Sequence, residues 1–503
     1  MPKHKPASGH ACRPGSHRSA ARKRAEAVLP GVALILAACA FPAAARGVSP
    51  YLPLQESPEI ERMIERVLIL ADQPVLARPI AAATVLDALP KACERDAALC
   101  ERVRHYLAGF QKNYGVGYMS LSAGAAASDE TGAPETSEGA VPLPNRHGMG
   151  ADSGYEVAGR VFWQPSDHVL LNAGVVAYKG DATPTGTLVS FGVEKAQVDI
   201  GWRDHWLSPM SDSAMLIGTQ ARTMPGVTLS NYKPLTRLGL RYELFISEMS
   251  ESSNILFQGA LTTGNPRLAG LHLSIEPFPG WSIAVNRILQ YGGGERPDGF
   301  SDLFDAFFNP SGYDNANPGE TEFGNQAASV TSTFLVPARV PFAVYFEYAG
   351  EDTSRGTNYR LGNSALSAGI RFPSLANRFD LTVELSDWQN GWYVHHIYLD
   401  GLVNEGNVIG HWGADWRVRG DGVGASSAMA RVGWQLKGGA FVEATYRTLH
   451  NAAYTAPDYE RAHSLDLLYS RSWKRDFHVG GELEAGRDPL DRSYSRLSLF
   501  LRF

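Results

Sequence analysis

The stretch "SYSRLSLFLRF", Ser493 to Phe503, puts Leu497, Leu499, Leu501 and Phe503 on every second position, with Ser498, Phe500 and Arg502 between them. A β-strand turns successive side chains to opposite faces, so this spacing predicts a two-faced strand with one apolar and one polar side. The same pattern recurs. In "RLGLRYELFIS", Arg237 to Ser247, Leu238, Leu240, Tyr242, Leu244 and Ile246 alternate with Arg237, Gly239, Arg241, Glu243 and Phe245. "PFAVYFEY" offers Phe342, Val344, Phe346 and Tyr348, "RFDLTVELS" offers Phe379, Leu381, Val383 and Leu385, and "AFVEATYRT" offers Val442, Ala444 and Tyr446. Roughly eighteen segments of about ten residues can be marked from Tyr114 onward, a length that suits a tilted membrane-crossing strand.

Half-apolar strands build either a sandwich, whose apolar faces meet in a core, or an outer-membrane barrel, whose apolar faces meet lipid. Charges recurring on the polar face decide between them: Arg237, Arg241, Glu243, Asp380, Glu384, Glu443, Arg447, Asp466, Glu482 and Glu484. The expectation is an all-β transmembrane barrel of about 18 antiparallel strands over residues 113–503, with outer-membrane lipid as a partner. A terminal aromatic on a lipid-facing strand resembles the signal read by the barrel assembly machinery, an expected partner during biogenesis. Composition agrees: of 503 residues only 19% are charged, while Gly (51), Trp (10), Tyr (20) and Phe (21) are plentiful. The formal net charge of -6 argues against nucleic acid as a partner.

The first 45 residues read as a signal peptide. Lys3, Lys5, Arg13, Arg18, Arg22, Lys23 and Arg24 precede the apolar run Ala27 to Ala45, and Ala43 and Ala45 suit Ala-x-Ala cleavage before Arg46. Two readings compete: a membrane anchor, and a lipoprotein box at "LAAC" with Cys39 as the lipidated residue. All of them export the chain to the bacterial outer membrane or periplasm. Cys93 and Cys100 are the pair left in the mature chain, and an oxidising compartment favours their disulfide over two buried thiols. Seven positions on one straight helix would hold them about 10 Å apart, beyond disulfide reach, so a helix break is expected at "CERDAAL".

Residues 46–112 carry helical periodicity instead. "SPEIERMIERVLIL" places Ile60, Ile64, Val67 and Leu68 on one face, with Ser57 as a possible N-cap and Pro58 at the first helical position. "RPIAAATVLDAL" and "AALCERVRHYLAGF" predict two further helices, the last with Leu99, Val103, Tyr106, Leu107 and Phe110 inward. About 50 residues make little core of their own. The bundle is therefore expected to dock on something larger. Two loops stand out: Ser122 to Gly150, rich in Ala, Gly and Glu, and Glu295 to Gln326, where Phe304, Phe307, Phe308 and Tyr313 suggest a folded, functional loop.

The chain has no nucleophile elbow, H-E-x-x-H helix, Walker loop or C-x-x-C pair, and "DNANPGE" fails as a calcium loop because Ala316 stands where Asp or Asn is needed. No cofactor, metal or catalytic residue is expected. Two clusters offer binding chemistry: Trp202, Asp204, His205 and Trp206, and then His411, Trp412, Asp415 and Trp416, beside Arg417 and Arg419. Aromatic planes cover sugar C–H faces while carboxylates, imidazoles and guanidinium groups meet hydroxyls and acidic sugars. The competing reading of the same clusters is an interfacial aromatic girdle with internal ion pairs that plug the lumen.

"ADQPVLARPI" from Ala71, "RDHWLSPMSDSAMLIGTQARTMPGVTLS" from Arg203, and "VIGHWGADWR" from Val408 are similar to the recurring motifs of the capsule assembly Wzi family, over about Tyr51 to Phe503. Residues 122–150 look like an insertion, and Leu207 and Ser208 depart from the family's usual HWWGP-type stretch. The resemblance implies a small periplasmic helical bundle before an eighteen-stranded barrel. It also implies a non-enzymatic role, attaching or organising capsular or extracellular polysaccharide at the cell surface through a lectin-like, plugged barrel. The alternative is an outer-membrane channel or transporter for polysaccharide or small solutes, with an outer-membrane hydrolase behind it.

Overall fold

The computed structural model describes residues 47–503, apart from 56, 130–138, 309–321, 354–359, 377, 453–457 and 475–476. The signal-peptide and Cys39 readings lie outside the described residues, as does the centre of each long loop named above.

Eighteen antiparallel strands form one closed wall, from Tyr114–Ser128 to Ser493–Arg502, with a three-residue piece at Asp181–Thr183 alongside. The last strand pairs with the first, Ser120 opposite Arg502 and Ala125 opposite Leu497, so the sheet has no free edge, as a wall in lipid requires. Alternation holds along this seam: Leu497 and Leu499 are 58% and 72% exposed, whereas Ser498, Phe500 and Arg502 are buried. Glu243, Asp380, Glu384, Glu443, Arg447, Glu482 and Glu484 are likewise buried on the inner face.

One expected strand is shorter than its pattern. Arg237 to Leu240 belong to a turn, and the strand is Arg241–Glu248. Gly239 has φ +69 and its N–H bonds Thr236 O, a left-handed turn that ends the alternation although Leu238 and Leu240 continue it in sequence. Arg237 is therefore exposed rather than in the lumen.

Connections at one end are tight, as at 167–168, 194–195 and 279–280; those at the other are long, as at 203–224, 292–323 and 389–424. Short turns mark the periplasmic end of such barrels and long loops the extracellular end. Aromatics ring the short-turn end on the outside, with Trp281 stacked on Phe334 (centroids 5.4 Å) and Phe379 on Trp434 (5.5 Å), as an interfacial girdle requires.

Helices α1 (Pro58–Leu70), α2 (Ala82–Cys93) and α3 (Ala97–Ala108) sit at the short-turn end. Val48 N–H bonds Asp167 O at 2.7 Å and Phe110 stacks on Phe162 at 5.9 Å. Ile64, Val67, Leu68, Val85, Leu89, Leu99, Val103 and Leu107 share one core with the barrel residues Phe162 and Leu170. Ser57 makes no side-chain cap; the cap that forms is Asp96 on Leu99 N–H of α3, 2.9 Å. Residues 94–96 interrupt the helices, and the folded-back chain brings the Cα atoms of Cys93 and Cys100 to 5.4 Å, joined as a disulfide.

The polar face of α1 enters the barrel mouth. Glu65 pairs with Arg371 (3.1 Å), Arg62 with Glu443 (3.2 Å) and Glu59 with Arg502 (3.6 Å), so charges on the inner wall are answered by charges on the helix. Among the described residues no helix is long and apolar enough to cross a membrane.

Candidate functional site: the filled lumen and the outer rim

The connection 203–224 does not loop into solvent. It runs through the lumen, with nearly every residue buried. Glu384 of the strand Phe379–Trp388 anchors it, accepting from Ser211 N–H and Oγ (both 2.8 Å), Asp212 N–H (3.1 Å), Ser213 Oγ (3.0 Å) and Tyr345 Oη (2.9 Å). One carboxylate thereby fixes three consecutive residues. Ser208, one of the two departures from the family stretch, donates to Glu347 at 2.6 Å; Leu207, the other, is fully buried. Below it, Arg78 N–H bonds Trp206 O at 2.9 Å, which joins this segment to the helical end.

Two further loops close over it from the long-loop end. Asn145 Nδ2 donates to Asp212 O at 2.8 Å, and Asn145 N–H to Gln220 Oε1 at 2.7 Å. Tyr393 Oη donates to Met215 O at 2.5 Å, and Gly218 N–H to Ile409 O at 2.8 Å. A Cβ on Gly410 would lie 2.4 Å from Met215 O, so only glycine lets these two loops meet there.

The eight residues that the sequence offered as a sugar platform lie in or beside this plug. Trp202 is half-buried at the end of the strand Ala196–Trp202. Asp204 contacts His147 (3.3 Å) and accepts from Thr223 Oγ1 (2.5 Å), and His205 bonds Glu243 (2.7 Å) while stacking on Phe245 at 3.8 Å. The indoles of Trp206, Trp412 and Trp416 are buried and donate to Met210 O (2.8 Å), Asp212 Oδ2 (3.0 Å) and Pro142 O (2.8 Å). His411 bonds Ser427 at 3.0 Å, and Asp415 accepts from Gln220 and Asn407 (each 2.9 Å) and from Val408 N–H (2.7 Å). The second cluster thus joins the segment 203–224 through Asp212 and Gln220, and apart from Trp202 the side chains of both clusters are enclosed by the chain itself.

Electrostatics fit a locked interior. Burial pushes His411 down to about 4, so it serves as a neutral hydrogen-bond partner at neutral pH. Burial works against the charged form of Asp212, but Arg447 at 2.8 Å outweighs it and holds the carboxyl below its ordinary range. Burial raises Asp415 despite its three donors.

The larger open spaces lie elsewhere. At the long-loop rim a cleft of about 580 Å³ is lined by Asp387, Gln389, Asn390, Ser426 and His450. A neighbouring cleft of about 370 Å³ shares Asn363 and adds Glu351, His395 and His396. A smaller cavity, about 90 Å³, sits at the opposite end between the helical segment and the short turns. Amides, carboxylates and imidazoles in the rim clefts suit hydroxyl-rich ligands. No periodicity marks Asn145, Gln220 or Asn390 in the sequence; the adjacent histidines at 395–396 are the one local signal.

The sequence profile described as capsule assembly protein Wzi matches residues 137–488. A Klebsiella pneumoniae protein, described as an uncharacterized 55.8 kDa protein in the cps region, is 25% identical over 167 residues. That match spans 31% of this chain and 31% of the relative, so about a third of the curated relative's length is covered. The crystallised Escherichia coli Wzi, described as an outer-membrane protein involved in group 1 capsule assembly and a carbohydrate-binding β-barrel, superposes with TM-score 0.64 at 14% identity. The superposition covers 92% of this chain and 99% of that one. Pseudomonas aeruginosa OpdQ superposes less closely, with TM-score 0.45 at 12% identity over 77% of this chain and 96% of that one. With that profile over most of its length, and a closed eighteen-stranded wall around it, the chain belongs to the capsule assembly protein Wzi family and is an outer-membrane β-barrel with a role in capsule assembly.

Proposed function

We propose that this barrel attaches or organises capsular or extracellular polysaccharide at the cell surface without catalysis, holding polymer on its long-loop face and passing none through its lumen. The carrying observation is the filling of the lumen from both sides: α1 meets the wall through Glu65 and Arg62, and residues 203–224 are pinned to Glu384 and Arg447. The carbohydrate binding described for the E. coli relative supports the choice of ligand. The residues offered to the polymer are those of the larger rim cleft, Asp387, Asn390, Ser426 and His450 among them. Trp202, Asp204, His205, Trp206, His411, Trp412, Asp415 and Trp416 act behind that surface by holding the plug in shape.

The test is deletion in a strain that makes the polymer. Polysaccharide is expected to appear in the medium with total synthesis unchanged, and undiminished cell-associated polymer refutes the reading. Reconstituted in a planar bilayer, the protein should conduct far less than an open porin; porin-like conductance would favour a channel.

A further inference from the structure

We propose that Glu322, His395 and His396 form a binding site for a first-row divalent cation of the zinc class at the long-loop rim. The three side chains come from two different loops: Glu322 from 292–323 and the histidines from 389–424. Their ligand atoms lie within 4.8 Å of one another, with His395 Nε2 at 2.9 Å from Glu322 Oε1 and His396 Nε2 at 2.7 Å from Oε2. The Glu322 side chain is 2% exposed, and neither of its oxygens accepts a well-formed hydrogen bond. A buried carboxylate with that shortfall is costly unless something else answers its charge.

The surroundings hold the group in place. Arg296 donates to Glu322 O and, at 3.1 Å, to Leu256 O; Tyr398 Oη donates to Gly292 O at 3.0 Å; Gln290 Nε2 donates to Gly401 O at 3.3 Å. The backbone at Glu322 and the chain just after the two histidines are therefore held before any cation arrives. His396 is 46% exposed and, with His395, lines the cleft of about 370 Å³, which gives an entry path and leaves room for water on the cation's open side.

Two imidazoles with one carboxylate are a donor set for zinc, nickel or cobalt rather than for calcium or magnesium, which take oxygen ligands. At about 2.0–2.2 Å from each ligand, a tetrahedral cation needs its ligand atoms roughly 3.3 Å apart, so each imidazole–carboxylate contact lengthens by about half an ångström. Ile397 N–H points at His395 Nδ1 at 3.3 Å, which places the proton of the neutral ring on Nε2. On metal binding that proton moves to Nδ1 and the long Ile397 contact is given up, with no net change in protons on the ring. The cation would staple the two loops together across the mouth of the barrel. The site stands apart from the polysaccharide reading, because its ligands are complete without a sugar.

Isothermal titration of the untagged full chain in detergent with zinc chloride tests it. One cation per chain is expected, and X-ray absorption at the zinc edge should report two imidazoles. His396→Ala and Glu322→Gln should each weaken binding at least tenfold. Because Glu322 is buried, His396→Ala is the deciding variant, with folding checked by heat-modifiable gel mobility. No saturable zinc binding by the native chain, or unchanged affinity in folded His396→Ala, overturns the proposal.

Discussion

The wall and the plug use the same polar chemistry under opposite rules. In the wall, each inward charge alternates with an apolar residue that faces lipid, so the strand pattern exposes both halves. In the plug, Asp212, Gln220, His411 and Asp415 follow no period, and each is meaningful only beside a partner far away in sequence, as Asp212 is beside Arg447 and Trp412. A wall residue is placed by its neighbours along the strand and a plug residue by its hydrogen bonds. The two regions should therefore fail differently.

The largest effect is expected from Asp212→Ala, which leaves Arg447 buried with Asp466 as its remaining acidic partner. Breaking a buried pair in this way costs about 3–5 kcal/mol. The plug should loosen while the wall persists, read as raised bilayer conductance with strand content by circular dichroism unchanged. A conductance like the native chain's would deny the plug its dependence on this pair. Leu499→Arg attacks the wall instead: a cation on the lipid face costs about 2–4 kcal/mol near mid-bilayer. Urea titration of refolding into lipid vesicles measures it, and an unchanged midpoint would mean that Leu499 does not meet lipid.

Acid probes the plug more gently. A neutral His411 contributes stability that is complete above the unfolded value of about 6.5, and that is lost as pH falls towards about 4. Protease protection of residues 203–224 should decline over that window, and less so in His411→Asn; equal declines would place the sensitivity elsewhere. Smallest in stability is His450→Ala at the rim, within about 0.5 kcal/mol of the native chain. In cells, the proposed polymer contact predicts reduced polysaccharide retention for the same variant; full retention would remove His450 from the contact.

Much of the wall was legible in advance. Leu497, Leu499 and Leu501 against Ser498, Phe500 and Arg502 are sorted by period alone, as are Phe346 and Tyr348 against Tyr345 and Glu347. The pattern overran at Arg237 to Leu240, where Gly239 turns the chain although the alternation of side chains does not stop. The candidate site was legible only as composition. Clustered Trp, His and Asp fit a sugar platform and a plug equally well, since both need flat apolar faces with polar groups at their edges. The side on which those faces lie is decided by where the connecting loops run.

The sequence by itself determined the membrane-facing shell and the presence of helices ahead of it, because period-two and period-3.6 patterns depend only on neighbours a few residues apart. Tertiary structure alone decided that residues 203–224 turn inward onto Glu384, that the tryptophan clusters are enclosed, and that Glu322 meets His395 and His396. Those outcomes rest on pairings between residues tens to hundreds of positions apart, which closing the barrel brings within hydrogen-bond reach.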